Sequence, residues 1–312
     1  MSAPWIRPAA LRRGDTVGVC APSGPVDAAR LALGVRELEA CGYEVRVADG
    51  ILDRTRFTAG SAERRREQLE GLFADPDVAA IVCARGGAGA SALLAGLDLE
   101  RLRATPKVFV GYSDVTALHL ALNNQRIVTF HGPMVAREFA DASYDRASFQ
   151  AAVSGEGAPY RSAPTELSGL HPGSGRGRLL GGCMSLLCAA CGTPWPPPDV
   201  DDDVILFLED VSEPAYRVDR MLRQLHAAGA FARVRGLLFG TLPGCGAPDG
   251  ADFGIEDVIA DAVATLQVPV AWGMPSGHTE GRNVTLPLGV AARLDVDSDG
   301  QASFEVLEAG VD

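Results

Sequence analysis

Lys107 to Leu122 reads KVFVGYSDVTALHLAL: three apolar residues and a glycine, a Tyr-Ser-Asp step, then a helical apolar pattern. A strand that gives way to a helix within three residues is a β-turn-α unit, the building block of a parallel sheet covered by helices. Gly111 permits the bend that lifts the Ser113 hydroxyl above the end of the sheet. The helix expected from about Asp114 aims unpaired N–H groups at any oxyanion formed beside that hydroxyl. The match to Gly-x-Ser-x-Gly is incomplete, since Val115 holds the second glycine position. A serine at a helix start is also an ordinary N-cap, so the local pattern alone leaves both readings open.

Working outward, the first half repeats the same alternation. Strand patterns DTVGVCA, YEVRVA, VAAIVCA and KVFVG are separated by helix patterns at Asp27–Ala40, Ser61–Phe73 and from Gly89. Continuous apolar strands between helices predict a parallel sheet buried on both faces. Such sheets bind ligands beyond the carboxyl ends of their strands, where three glycine-containing loops fall: Pro22-Ser23-Gly24, Arg85–Gly89 and Gly111–Asp114. Residues 155–177 are rich in Gly, Pro and Ser with little periodicity and read as a linker. The expected domains are therefore 1–154 and 178–312. In the second, VILFLED and VRGLLFG read as strands, Ala215–Ala228 as a helix, and VTLPLG, AARLDVD and SFEVLE as strands joined by tight turns.

The chain has 312 residues, 47% of them hydrophobic, and a net charge of -12. That acidity lacks the basic stripe a nucleic-acid binder needs, and Arg64-Arg65-Arg66 reads as a solvated helix face. With no signal-like N-terminus and no apolar run of membrane-spanning length, the expected location is the cytoplasm. Seven scattered cysteines fit reduced thiols. Cys188 and Cys191 have redox or metal spacing, but they share an apolar helix face with Cys183 and no second Cys/His pair lies nearby, so they read as structural.

A serine nucleophile needs a base, and the base an orienting carboxylate. His119 and His226 lie in amphipathic helices and His171 in the expected linker. His131, in TFHGPM, and His278, in the polar loop GMPSGHTEGRN, remain, and loop position favours His278. The carboxylate is Glu209 or Asp210 at the end of VILFLED. Alternation points them to opposite faces without choosing between them, while Asp210 and Glu213 are also candidate caps for the following helix.

The ordered set APSGP (Ala21–Pro25), ARGGAG (Ala84–Gly89), GYSD (Gly111–Asp114), HGP (His131–Pro133), LLGG (Leu179–Gly182), LED (Leu208–Asp210), YRVDRMLRQL (Tyr216–Leu225) and GMPSGHTEGRNVTLPLG (Gly273–Gly289) resembles the LD-carboxypeptidase family of serine peptidases. The resemblance implies a flavodoxin-like or Rossmann-like N-terminal domain with a smaller C-terminal α/β domain of swivelling type. It implies cytoplasmic hydrolysis of terminal D-alanine from muropeptide tetrapeptides, or, as in the related microcin C immunity proteins, of aminoacyl-nucleotide conjugates. It further implies a triad of Ser113, Glu209 and His278, an oxyanion hole from the Gly87 and Asp114 backbone N–H groups, no cofactor or metal, and a homodimer. Two positions depart from the family pattern: Ala88 where an aromatic is common, and Cys183 where Asn is common. Both bear on which substrate fits. Arg85 and Arg282 lie in loops suited to holding a substrate carboxylate, and a surface or structural role fits each of them equally. Two other classes stand beside this one. Gly87-Ala88-Gly89-Ala90-Ser91-Ala92 has the looser dinucleotide-loop spacing, although it follows the third strand and not the first. A non-catalytic binding protein on the same fold is the other.

Overall fold

The computed structural model of the chain describes residues 3–198, 200–248 and 250–312. The sequence stretch Pro198–Asp203 is acidic, and its Asp199 lies outside the described residues. The first half runs β1 (Thr16–Cys20), α1 (Ala28–Ala40), β2 (Glu44–Val47), α2 (Ala62–Ala74), β3 (Val78–Cys83), the short helices α3 (Ser91–Leu94) and α4 (Leu99–Ala104), β4 (Val108–Gly111), α5 (Thr116–Asn124), β5 (Thr129–His131) and α6 (Arg146–Ser154). Asp27 and Ser61 begin α1 and α2 because their side-chain oxygens accept N–H groups of the first turn, those of Arg30 and Arg64. The five strands are parallel in the order β2-β1-β3-β4-β5, the flavodoxin-like order. Apolar side chains cover both faces. Leu31 and Leu38 of α1 share a cluster with Val17 and Val19, and Leu69, Phe73, Leu118 and Leu122 of α2 and α5 share one with Ile81 and Phe109.

The second half adds β6 (Ser168–His171), β7 (Gly173–Cys183), α7 (Met184–Ala190), β8 (Val204–Glu209), α8 (Ala215–Ala227), β9 (Val234–Gly240), α9 (Ile255–Val263), β10 (Val270–Met274), β11 (Leu286–Leu288), β12 (Ala291–Val296) and β13 (Ala302–Val306). A mixed sheet has the order β13-β12-β7-β8-β9-β10-β6, parallel from β7 to β10 and antiparallel at its flanks. In α8, Val218, Met221, Leu222 and Leu225 are buried at i, i+3, i+4 and i+7, the helical stripe that seats it on the sheet.

Two details differ from the sequence reading. Within 155–177, β6 and the first residues of β7 form strands. A Cβ on Gly175 or Gly177 would meet Arg235 O at 1.8 Å or Asp203 O at 2.5 Å, so crowding removes the side chains whose alternation marks a strand. The three C-terminal strands also do not stay together. β12 and β13 pair through a tight turn at Asp297–Gly300, but β11 crosses to the first sheet and pairs antiparallel with β5, placing Leu286 opposite His131.

The two sheets meet at the start of α5. One apolar cluster contains Val110 and Phe130 of the first sheet and Phe207 and Leu294 of the second. Thr116 Oγ1 accepts the Cys183 N–H at 3.0 Å, and a Cβ on Gly182 would lie 2.7 Å from that hydroxyl. The glycine pair of LLGG thus lets β7 approach the helix that follows Ser113.

Candidate active site

Ser113 has φ +64, a left-handed conformation that is uncommon for a residue with a Cβ and is held here by its surroundings. The chain leaves β4 at Gly111, passes through buried Tyr112 and enters a 3₁₀ turn, Ser113–Val115, before α5. The helix therefore begins as a tighter turn than the sequence pattern suggests. Tyr112 Oη donates to Glu138 Oε1 at 2.6 Å, and Glu138 Oε2 accepts the Met134 N–H at 3.0 Å, which anchors the turn from below.

The three glycine loops gather around this serine. A Cβ on Gly86 would meet Ser113 Cβ at 2.8 Å and Oγ at 2.9 Å, so only glycine lets the loop lie against the hydroxyl. Asp114 Oδ2 accepts the Ala90 N–H at 2.8 Å, tying the loop to the Ser113 turn. Buried Arg65 donates to Gly89 O at 2.8 Å and Pro22 O at 2.5 Å, and Gly24 N–H donates to Gly86 O at 3.1 Å, joining the third loop. Among the described residues, neither the Gly87 nor the Asp114 N–H donates a hydrogen bond within the protein. Both stay available to an external oxygen. The dinucleotide reading gains nothing from this loop, since the helix that follows it, α3, is only four residues long.

Glu209 ends β8 completely buried. Its Oε2 accepts both the His278 backbone N–H at 3.0 Å and the His278 Nδ1–H at 2.7 Å. This fixes the tautomer, leaving Nε2 to take a proton. Thr241 Oγ1 donates to His278 O at 3.2 Å, and the Tyr112 ring lies edge-on to the imidazole at 5.0 Å. Burial alone would raise the Glu209 carboxyl pKa, but the neighbouring imidazoles of His131 and His278, the latter hydrogen-bonded to it, lower it to about 2. Burial lowers the His278 pKa, and the bond and charge of Glu209 more than offset it, so the imidazole sits above its ordinary 6.5. Asp210 points elsewhere. It accepts the Ser185 N–H at 2.8 Å in the first turn of α7, while Glu213 pairs with Arg217, so neither side chain caps α8.

His131 lies behind this pair. Its Nδ1 meets Ser276 Oγ at 3.0 Å, and its Nε2 stands 3.7 Å from Glu209 Oε1, with both side chains fully buried. It faces the carboxylate and not the serine. Gly277 makes room for the cluster, since a Cβ there would come within 2.8 Å of both Glu209 and His131. No hydrogen bond joins Ser113 Oγ to His278 among the described residues; the Tyr112 ring is what brings their two loops together.

His119 packs in α5 between Thr129 Oγ1 and Gly111 O, and burial lowers its pKa to about 3, keeping it neutral. The Cys188 and Cys191 thiols donate to the carbonyls of Met221 and Leu187. Arg282 is bound by Asp145 and Glu166, and Arg85 by the Gly86 and Pro25 carbonyls. Sequence periodicity gave no sign of the kinked turn Val135–Phe139, where Arg137 has non-helical φ -121 and ψ -106. Arg137 is exposed, and its charge opposes protonation of His278.

Comparison with known proteins matches residues 17–132 to the LD-carboxypeptidase N-terminal domain and residues 176–294 to the LD-carboxypeptidase C-terminal domain. The chain is similar to the probable murein peptide carboxypeptidase of Bacillus subtilis, 33% identical over 98% of this chain and 95% of that one. The crystal structure of muramoyltetrapeptide carboxypeptidase from Oxalobacter formigenes is 29% identical with TM-score 0.82, covering 94% and 99% of the two chains. The structure of MccF in complex with glutamyl sulfamoyl guanosine shares the fold at TM-score 0.86 and 24% identity, over 97% and 98% of the chains.

Proposed function

The chain belongs to the LD-carboxypeptidase family, and from that premise we propose that it is a serine peptidase releasing terminal D-alanine from muropeptide tetrapeptides. The observation that carries this reading is the completely buried Glu209 bonded to His278 Nδ1 at 2.7 Å, which readies the opposite ring nitrogen to act as a base. Ser113 Oγ attacks the carbonyl of the bond between the L-centre of the diamino acid and D-alanine, and His278 Nε2 takes its proton. The Gly87 and Asp114 N–H groups receive the oxyanion; one such donor is worth about 2.7–4 kcal/mol of barrier. His278 then protonates the departing amine, and water deprotonated by the same imidazole releases the acyl group from Ser113.

The test is to incubate the protein with a muramoyl tetrapeptide and follow tripeptide and free D-alanine by mass spectrometry. Release of both is expected. A second reading, cleavage of aminoacyl-nucleotide conjugates, draws on the exposed Ala88, which leaves the glycine loop without an aromatic wall. Cleavage of such a conjugate with no D-alanine release would favour it over the first.

A further inference from the structure

Resting on the proposed carboxypeptidase reading, the structure also bears on what confines cleavage to the last residue of a peptide. In acyl transfer the amine departs toward the imidazole that protonates it, and in a terminal amino acid the carboxylate is two bonds from that nitrogen. A cation that recognises the terminus must therefore stand beside His278, away from the oxyanion donors.

Three arginines near the site fail this requirement. Arg282 is neutralised, its Nε 2.5 Å from Asp145 Oδ2 and its Nη1 on Glu166. Arg85 lies by Gly24 and Gly87, on the oxyanion side, with Nε and Nη1 committed to backbone carbonyls at 3.2 and 3.1 Å. Arg65 is buried and turned to Gly89 O and Pro22 O.

Arg137 meets it. The next residue, Glu138, accepts from Tyr112 Oη at 2.6 Å, and the Tyr112 ring lies edge-on to His278 at 5.0 Å, which sets Arg137 beside the imidazole; its charge reaches His278, Tyr112 and Asp141. It is exposed, and among the described residues it has no carboxylate within ion-pair distance. Its backbone is also held off the helical path. The following residue, Glu138, is buried and fixed by Tyr112 Oη and the Met134 N–H, while Arg137 O accepts from Arg30 Nη2 at 3.2 Å. Arg30 spends its own charge on Asp141 at 2.5 Å. The kink at Arg137, φ -121 and ψ -106, turns its side chain out of the line of the flanking residues.

We infer that Arg137 binds the α-carboxylate of the residue being released and so sets the exopeptidase specificity. Its planar fork suits a carboxylate, whereas lysine offers a point charge only. The experiment compares wild type, R137Q and R137K on a tetrapeptide with a free C-terminal carboxylate and on the same peptide as its C-terminal amide. Wild type prefers the acid. R137Q lowers kcat/KM for the acid about 10- to 150-fold, chiefly through KM, so that the acid-over-amide preference collapses toward unity, and R137K recovers part of it. An R137Q enzyme that keeps the wild-type preference, whatever its overall rate, overturns the inference while the carboxypeptidase reading stands. Wild type that releases no D-alanine overturns that reading and this inference with it.

Discussion

Replacing Glu209 by glutamine isolates the charge of the orienting group from its shape. With the amide oxygen at the Oε2 position, both bonds from His278 survive, at 3.0 and 2.7 Å. What disappears is the negative charge beside the imidazolium that the proposed reaction forms when Ser113 gives up its proton. Two unit charges about 4 Å apart at an effective dielectric constant near 20 interact by about 4 kcal/mol, or roughly 10³-fold in rate. If the amide instead turns its NH₂ toward His278, Nδ1 must accept, the tautomer inverts, and the loss approaches 10⁴-fold. E209Q should therefore lose about 10³–10⁴ in kcat with little change in KM. Without the carboxylate that raises its pKa, His278 should also titrate lower, shifting the acidic limb of the rate profile to lower pH. Steady-state D-alanine release across pH reads both. A loss below tenfold with an unmoved limb would refute the assignment of Glu209 as orienter.

The wild-type kcat/KM should fall as pH drops through the His278 pKa, above 6.5, because only the neutral ring accepts the serine proton; a flat profile through that region would exclude a histidine base. Glu209 is held at about 2, below its ordinary 4.5, so it stabilises the fold above 4.5 and that contribution is lost as pH falls toward 2. Acid unfolding followed by circular dichroism should be steeper in this window for wild type than for E209Q. G86A places a Cβ 2.8 Å from Ser113 Cβ and should cost at least about 10² in kcat, since ångström-scale misplacement of a reacting group has that effect; near-normal turnover would mean the loop does not position the serine. T116V leaves the Cys183 N–H without its acceptor, a cost of about 1–3 kcal/mol, visible as a Tm several degrees lower by calorimetry.

The parallel sheet was legible because its strands are continuous apolar runs set between capped helices, and the loops at their carboxyl ends follow from that topology. The glycines within 173–177 hid a strand, because close backbone contact there requires the absence of the side chains that carry a strand pattern. β11 is three residues long, and its partner β5 lies about 155 residues earlier, so local pattern could not assign its sheet. Glu209 and Asp210 were inseparable by alternation; their partners, His278 and the Ser185 N–H, distinguish them in three dimensions. Neither the left-handed φ of Ser113 nor the kink at Arg137 has a composition signature, because each is imposed by distant contacts such as Tyr112 with Glu138.

The proposed reaction rests on Ser113 as its nucleophile. Turnover of a muramoyl tetrapeptide by wild type and S113A, prepared side by side and checked for equal folding by circular dichroism, tests it most directly. D-alanine release by wild type and a loss of roughly 10⁴–10⁶ in kcat for S113A are expected. Equal release by the two proteins would contradict it.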